Sequence, residues 1–139
     1  MLLHYKTLTD TAIDPVKAHP EDAAWDLYAD ETKVIYTCET IKTGIAIRIP
    51  TGMVGMVCSR SGLAKNNGVF VLNAPGIIDP MYSGEISVVL GALQPYEVKA
   101  GDRIAQLIIM NTADVTLLGS ANMVWSGMRG DDGFGSSGR

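Results

Sequence analysis

Short apolar runs alternate with glycine, proline and polar residues along most of this chain. The segment TGIAIRIP places Ile45, Ile47 and Ile49 at every second position, which is the period of a half-buried strand. Three further apolar runs have the length of a strand and are bounded by turn residues: MVGMVC, EISVVLGAL and RIAQLIIM. Many short strands separated by turn signals are typical of a sandwich or a closed barrel. The pattern therefore predicts an all-β domain.

Two segments have the spacing of a short helix. DAAWDLYAD brings Ala24, Leu27 and Tyr28 to helix-like positions, and SGLAKNN is suited to one or two helical turns after a serine cap. We predict a helix for the second segment only. The domain is therefore expected to contain at most one short helix.

The composition changes near the end of the chain. From Ser126 onward glycine, serine and charged residues dominate, and Phe134 is the only large apolar residue after Met128. A segment of this composition has too little apolar surface to fold by itself. We therefore predict one β domain over residues 1–125 and a flexible, glycine- and serine-rich tail over residues 126–139.

Size and charge restrict the possible partners. The chain has 139 residues and a formal net charge of -4, which disfavours broad electrostatic binding to nucleic acid or anionic membranes. Its two cysteines, Cys38 and Cys58, lack the spacing of a zinc site or a redox pair, so we expect both to be reduced. No apolar run approaches the roughly 18 residues of a membrane span, and none at the start resembles a signal peptide. We expect a cytoplasmic protein without nucleic-acid or membrane partners.

Polar residues interrupt the apolar pattern at places where they are able to bind an anion. In CSRSGLAKNNG, the Arg60 guanidinium, the Ser61 hydroxyl and the backbone at Gly62 are suited to a phosphate cradle. A strand end followed by a helix cap is the simpler explanation when these residues are taken alone. In GDRIAQLII, Gln106 lies within an apolar run, where a buried amide needs hydrogen-bonding partners.

The segment NAPGIIDPMYSGE carries a second candidate group. An aspartate held beside an aromatic ring in a tight hairpin has fixed geometry, and this suits Asp79 beside Tyr82 to the role of a general base. The alternative is an ordinary β-hairpin with a wide turn, in which Asp79 caps the turn and Tyr82 packs on its flank.

Taken in chain order, five segments resemble the five motifs of the trimeric dUTPase family. They are AAWDLYA (23–29), RSGLA (60–64), GIIDPMYSGE (76–85), GDRIAQLII (101–109) and RGDDGFGSSG (129–138). The resemblance implies a distorted jelly-roll or β-clip barrel that forms a homotrimer with active sites between subunits. It also implies hydrolysis of dUTP to dUMP and pyrophosphate with Mg²⁺, which keeps uracil out of DNA and supplies dUMP for thymidylate synthesis.

The resemblance further implies a role for each matching residue. Asp79 corresponds to the aspartate that deprotonates the attacking water, and Asp26 to the aspartate that holds the water shell of the metal. Uracil and deoxyribose contacts fall on Asn73, Gly76, Ile78, Tyr82 and Phe134. Phosphate contacts fall on Arg60, Ser61, Gly62, Gln106, Arg129, Ser136 and Ser137. In the tail, Arg129 and Phe134 make the predicted segment a lid that closes over bound substrate.

Several positions differ from the usual family pattern. The first motif normally has glycine and an aromatic residue before the aspartate, and Ala24 and Trp25 stand there. We expect Ala24 to be tolerated if its backbone does not need a conformation reserved for glycine. Met81 replaces a residue that is usually acidic or polar, and Ser136 with Ser137 replaces a serine and threonine pair.

Three other functions are less consistent with the sequence than hydrolysis of dUTP. The IDP triplet also resembles the dCTP deaminases, which share the fold but use a glutamate where Val89 stands, and valine cannot transfer protons. The second is a regulatory protein on the same scaffold, in which nucleotide is a ligand that switches a protein interface. The sequence favours the enzyme, because Asp79, Arg129 and Phe134 are all present. Cell adhesion through the RGD triplet at 129–131 is disfavoured because three-residue matches are common and no secretion signal is present.

Overall fold

The structure is a computed structural model and describes residues 2–119. Within this range the chain forms eleven strands and one helix, α1 (Ser61–Asn67). The strands are β1 (His4–Thr7), β2 (Trp25–Tyr28), β3 (Lys33–Ile35), β4 (Cys38–Lys42), β5 (Ile45–Arg48), β6 (Met53–Cys58), β7 (Val69–Val71), β8 (Gly76–Ile78), β9 (Ser87–Ala92), β10 (Tyr96–Val98) and β11 (Arg103–Asn111). The predicted all-β class with at most one short helix is confirmed for the described residues.

Two larger sheets enclose the core. One has four strands in the order β2-β11-β6-β8 and the other has three in the order β4-β9-β7, and all neighbours are antiparallel. Two further pairs, β1 with β5 and β3 with β10, are also antiparallel. Leu27 and Leu107 of the first sheet and Ile41, Val88 and Leu90 of the second are almost fully buried in one apolar cluster. This core fixes the register of each sheet, because a shift by one residue would turn its apolar side chains to solvent.

The apolar runs named above form strands β5, β6, β9 and β11, as predicted. Ile45, Ile47 and Ile49 are buried as their alternation indicated, and Ala46 between them is buried as well. Cys38 and Cys58 are free thiols, in agreement with the prediction. No helix among residues 2–119 is both long and apolar enough to span a membrane.

The two helix-like segments have different outcomes. DAAWDLYAD contains strand β2, because its residues pair with β11 and sheet pairing outweighs the weak local spacing. SGLAKNN forms α1, but the predicted serine cap is wrong. Arg60 is the N-cap and makes no side-chain cap hydrogen bond, while the Ser59 hydroxyl accepts a hydrogen bond from Val71 N–H at 2.9 Å instead. Gly68 ends the helix in the left-handed conformation with φ of 66°.

The domain boundary after residue 125 and the predicted tail over 126–139 lie outside the described residues. The same holds for four predicted site residues of the fifth motif, which are Arg129, Phe134, Ser136 and Ser137.

Candidate active site

A row of residues across the four-stranded sheet carries the first group of candidate side chains. Asp26 of β2 lies opposite Gln106 of β11, which in turn lies opposite Cys58 of β6. Their neighbours Leu27 and Leu107 are buried on the inner face of the sheet. Because successive side chains of a strand point to opposite faces, Asp26 and Gln106 project from the outer face together.

The residues that follow β6 complete a cavity beside this row. It has a volume of about 400 Å³ and is lined by Ala18, Asp22, Ala23, Ala24, Asp26, Arg60, Ser61, Gly62, Arg103, Gln106 and Ile108. The structure thus brings together Asp26 and all the predicted phosphate-binding residues that it describes. Within the part of the chain that the structure describes, a Cβ atom at Gly62 would have no neighbour within 4 Å, so these residues leave space next to the backbone here.

The Asp26 carboxylate holds two arginine side chains in this cavity. Arg60 Nε–H donates to Asp26 Oδ1 at 2.8 Å, and Arg103 Nη1–H donates to Asp26 Oδ2 at 3.3 Å. Arg60 also donates through Nη1 to the Arg103 carbonyl oxygen at 3.3 Å. The Asp26 side chain is only 12% exposed, whereas those of Arg60 and Arg103 are 25% and 48% exposed. Arg60 and Arg103 together carry two positive charges, and Asp26 and Asp22, which also lines the cavity, carry two negative charges, so the formal charges of the lining side chains balance.

Arg103 was not among the residues predicted from the sequence. It begins β11, and a bulge between Arg103 and Ala105 shifts the register so that Arg103 lies opposite Tyr28. A charged residue at the first position of an otherwise apolar strand was the only signal available, and it did not indicate that Arg103 reaches Asp26.

Gln106 has the partner that its position in an apolar run requires. Its Nε2–H donates to the Ser59 carbonyl oxygen at 2.8 Å. This bond connects β11 to the turn between β6 and α1 and orients the amide at the wall of the cavity. Ser59 is a second supporting residue that the sequence did not reveal.

The segment 73–85 carries the second group of candidate residues. Its strand β8 pairs with β6, whereas β9, the next strand along the chain, belongs to the other sheet. The expected hairpin is therefore wrong, since the turn after β8 does not connect two paired strands. A Cβ atom at Gly76 would lie 3.4 Å from Asn73 Nδ2, so the Asn73 amide lies against the backbone of Gly76. Asp79 and Tyr82 follow β8 and are exposed.

The two groups of residues lie at opposite ends of β6. Asp79 comes directly after Ile78, which pairs with Gly55, whereas Arg60 comes two residues after Cys58 at the other end of this strand. Strand residues rise by about 3.3 Å each, so about 13 Å of β6 separates Asp79 from the start of the cavity. In agreement with this distance, Asp79 is not among the residues that line the cavity.

The positions that differ from the family pattern are accommodated in different ways. Ala24 does not have a positive φ, so no glycine conformation is needed and the stated expectation is met. The Trp25 ring packs against Lys17, whose Nζ lies 4.3 Å from the ring centroid. Met81 has φ of 65° and is the only residue other than glycine in the left-handed region among residues 2–119. For such a residue this conformation costs about 1–2 kcal/mol, so the turn after β8 is locally strained.

Comparison with protein families gives one match over most of the chain. The dUTPase family model matches residues 10–138. A deoxyuridine 5'-triphosphate nucleotidohydrolase of Tropheryma whipplei (strain Twist) is 45% identical over 130 residues, which cover 90% of this chain and 88% of the relative. The enzyme of the same name from Corynebacterium jeikeium (strain K411) is 44% identical over 131 residues, covering 89% of this chain and 84% of the relative.

Solved structures of dUTPases have the same fold. The dUTPase of Staphylococcus bacteriophage 80alpha, solved with dUPNHPP, superposes with a TM-score of 0.88 at 29% identity and covers 99% of both chains. A mutant dUTPase from phage phi11 of S. aureus superposes with a TM-score of 0.81 at 24% identity, covering 87% of this chain and 97% of that one. The predicted jelly-roll is thereby confirmed. Since the family model spans almost the whole sequence and close relatives share more than two fifths of its residues, this chain belongs to the dUTPase family.

Proposed function

We propose that this protein hydrolyses dUTP to dUMP and pyrophosphate in the cytoplasm, by attack of water at the α-phosphorus with Mg²⁺ as cofactor. The observation that carries the proposal is the cavity in which Asp26 holds two guanidiniums beside Gln106, in a chain whose relatives are named as deoxyuridine triphosphate nucleotidohydrolases. The reaction keeps uracil out of DNA and supplies dUMP for thymidylate synthesis.

The cavity binds the triphosphate. Arg60 is held by Asp26 with its guanidinium plane fixed, and a fixed guanidinium binds phosphate oxygens with two parallel hydrogen bonds. The Ser61 hydroxyl, the Gly62 backbone and Gln106 add neutral hydrogen-bonding groups at the same wall. Phosphoryl transfer depends mainly on positioning and on neutralising charge, and the cavity offers two guanidiniums and fixed hydrogen-bonding groups for these two tasks.

The segment 73–85 binds the nucleoside. The Asn73 amide carries a donor and an acceptor, which match the acceptor and the N–H on the edge of uracil. The backbone at Gly76 and Ile78 adds the remaining polar contacts along β8. The Tyr82 ring lies beneath the deoxyribose and leaves no space for a ribose 2'-hydroxyl.

Asp79 removes a proton from the attacking water. Its carboxylate is exposed at the end of β8, three residues before the ring that binds the sugar. A base three residues from that ring would lie beside the nucleoside, to which the α-phosphate is attached. General-base catalysis of this kind contributes about 10²- to 10⁴-fold to the rate.

The donor set fits Mg²⁺ bound mainly through the substrate. Mg²⁺ keeps several waters and is usually held by one or two carboxylates together with substrate phosphates. Each Asp26 oxygen accepts one hydrogen bond from an arginine and retains a lone pair for a metal-bound water. Among residues 2–119 no three His, Cys, Asp or Glu side chains form a metal site by themselves. The bound ion would neutralise charge on the phosphate oxygens.

A homotrimer with shared active sites explains why Asp79 and the cavity lie far apart in one chain. The outer face of the four-stranded sheet is apolar beyond the row of Asp26, with Ile77 55% and Met110 48% exposed. An apolar sheet face of this kind is suited to contact another subunit. Asp79 of one subunit would then meet the cavity of its neighbour.

The tail would complete the site as a lid. Arg129 reaches the γ-phosphate, Phe134 covers the uracil, and Ser136 and Ser137 add phosphate contacts in this proposal. Stacking of an aromatic side chain on a base contributes about 1–3 kcal/mol. The lid, like the RGD triplet at 129–131, lies outside the described residues, and its role follows from the resemblance of its motif.

Incubation with dUTP, dCTP, dTTP and UTP in the presence of Mg²⁺ tests the function. We expect dUMP and pyrophosphate from dUTP and little product from the other nucleotides, as measured by chromatographic separation. Val89 lies on β9, where its carbonyl oxygen accepts a hydrogen bond from Leu72 N–H, and its side chain provides no group for proton transfer, so dCTP should release no ammonia. Ammonia from dCTP, or equal hydrolysis of dUTP and UTP, would overturn the proposal.

Mixing two inactive variants tests whether the site is shared. Asp79→Asn lacks the base and Arg60→Ala lacks the phosphate anchor, so each variant alone should be inactive. In a random 1:1 mixture about one quarter of shared sites receive both native groups, because the two come from different subunits. We therefore expect the refolded mixture to recover about one quarter of wild-type activity. No recovery, with subunit exchange verified by mass spectrometry, would show that both groups come from one chain.

A further inference from the structure

The Tyr82 side chain folds back over the glycine two positions further along the chain. A Cβ atom at Gly84 would lie 2.6 Å from Tyr82 Cζ and 3.1 Å from Cε2, and it would also collide with the hydroxyl oxygen. The φ angle of Gly84 lies outside the left-handed region, unlike that of Gly44 at 66°. A side chain at this position would therefore collide with the ring, whereas the backbone φ angle does not oppose it.

The backbone beneath the ring is held by the two residues that follow Gly84. Glu85 Oε1 accepts a hydrogen bond from Gly44 N–H at 2.8 Å. The Ile86 N–H donates to the Ile45 carbonyl oxygen at 2.8 Å, and the Ile86 side chain is fully buried. These contacts tie the end of the segment 73–85 to the turn between β4 and β5. The backbone at Gly84 is thus unable to move away from the ring without breaking them.

The ring itself is free to move. Tyr82 is 45% exposed, and within the described residues its only side-chain hydrogen bond runs from Oη–H to the Glu85 carbonyl oxygen at 3.1 Å. Ordinary contacts between carbon atoms are about 3.5–4.0 Å, so a methyl group at Gly84 would displace the ring by about 1 Å. The displacement would also break the hydrogen bond to Glu85.

We propose that Gly84 is a positioning residue that sets the place of the Tyr82 ring and, through it, the preference for deoxyribose over ribose. The inference rests on the proposed function, in which the ring lies beneath the sugar. One face of the Tyr82 ring rests on the backbone at Gly84, and the bound sugar contacts the opposite face of the ring. The space for a 2'-hydroxyl is closed only while the ring rests on the glycine.

The variant Gly84→Ala tests this role through substrate preference. A misplacement of about 1 Å costs on the order of 100-fold in rate when the displaced group contacts the substrate. We expect the ratio of kcat/KM for dUTP to kcat/KM for UTP to fall by about 10- to 100-fold, because the displaced ring no longer closes the space for a 2'-hydroxyl and kcat/KM for UTP rises. Gly119→Ala is the matched control, because among residues 2–119 a Cβ atom there would have no neighbour within 4 Å. An unchanged ratio in a folded Gly84→Ala variant would overturn the inference.

Combining the change with Tyr82→Leu separates this inference from the function on which it rests. Leucine ends before Cζ, so Gly84→Ala should not lower the ratio further in a Tyr82→Leu background. If Gly84→Ala lowers this ratio equally in the wild-type and Tyr82→Leu backgrounds, Gly84 does not act through the ring. If Tyr82→Leu by itself leaves the ratio unchanged, the role of Tyr82 in the proposed function is wrong, and this inference falls with it.

If Gly84→Ala does not fold, thermal unfolding of the double variant with Tyr82→Leu tests the inference instead. The collision with the ring predicts that Tyr82→Leu restores the thermal unfolding midpoint of the double variant to that of Tyr82→Leu alone. A double variant as unstable as Gly84→Ala would show that alanine is excluded for another reason, and the inference would be wrong.

Discussion

Asp79→Asn is expected to bind dUTP with nearly unchanged affinity and to hydrolyse it about 10²- to 10⁴-fold more slowly than the wild type. Asparagine has the shape of aspartate but no basic carboxylate, so the attacking water keeps its proton. The Asp79 side chain is exposed and makes no hydrogen bond within the described residues, so the fold should be unaffected. Single-turnover hydrolysis and calorimetric titration with a non-hydrolysable dUTP analogue measure the two effects separately.

The control for this variant is an exposed aspartate distant from the segment 73–85. Asp10 lies in the loop after β1 and is exposed, so Asp10→Asn changes the net charge by the same amount without touching the site. We expect wild-type turnover from it. Full turnover by Asp79→Asn would remove Asp79 as the base and favour a protein that uses nucleotide as a ligand only.

Asp26→Asn is expected to lower both stability and activity. The amide retains one acceptor and directs its N–H group at an arginine, so one of the two guanidiniums loses its partner. A hydrogen bond to a charged group contributes about 1.5–3 kcal/mol, and we expect the free energy of unfolding to fall by about 2 kcal/mol. With one of the two guanidiniums no longer held in the cavity, kcat/KM for dUTP should fall about 100-fold. Denaturant unfolding and steady-state kinetics measure the two losses.

An exposed ion pair provides the control for Asp26→Asn. Lys33 Nζ and Glu39 Oε2 are 2.7 Å apart, with side chains 39% and 35% exposed. Exposed pairs contribute about 0–1 kcal/mol, so Glu39→Gln should leave stability and activity nearly unchanged.

Mg²⁺ dependence distinguishes the two roles of Asp26. A role confined to the metal's water shell predicts wild-type stability without Mg²⁺ and a higher Mg²⁺ requirement for activity. The hydrogen bonds between Asp26 and the two arginines predict instead that Asp26→Asn is less stable than the wild type even when Mg²⁺ is absent. Wild-type stability of Asp26→Asn without Mg²⁺ would therefore show that the carboxylate does not hold the arginines in solution.

The strands that the sequence revealed are those whose apolar side chains enter the core. In β5, Ile45 and Ile47 alternate because one face packs against the cluster. Strand β1 has no such signal, since all four residues from His4 to Thr7 are exposed and the strand exists through its pairing with β5. For β2 the spacing of Ala24, Leu27 and Tyr28 was ambiguous, and the long-range pairing with β11 decided the outcome.

The sequence predicts candidate site residues whose functional group is unusual for its position and which also lie in a family motif. It does not predict residues whose proposed role depends only on the direction of a side chain in the fold. Arg60 and Gln106 carry groups that are unusual in their local sequence. Arg103 reaches Asp26 through a bulge that no local pattern encodes. Gly84 matters because of the direction that the Tyr82 ring takes, and a side-chain orientation of this kind cannot be predicted from residue spacing.

The distance along β6 between Asp79 and the phosphate cavity has a consequence for the cell. If one chain contributes the base and another the anchor, an isolated chain is able to hold parts of the substrate but not to hydrolyse it. The specific rate then depends on mass action, and dilution below the dissociation constant of the assembly abolishes hydrolysis. A newly made chain would remain inactive until it meets its neighbours, and the amount of active enzyme would rise more steeply than the amount of protein.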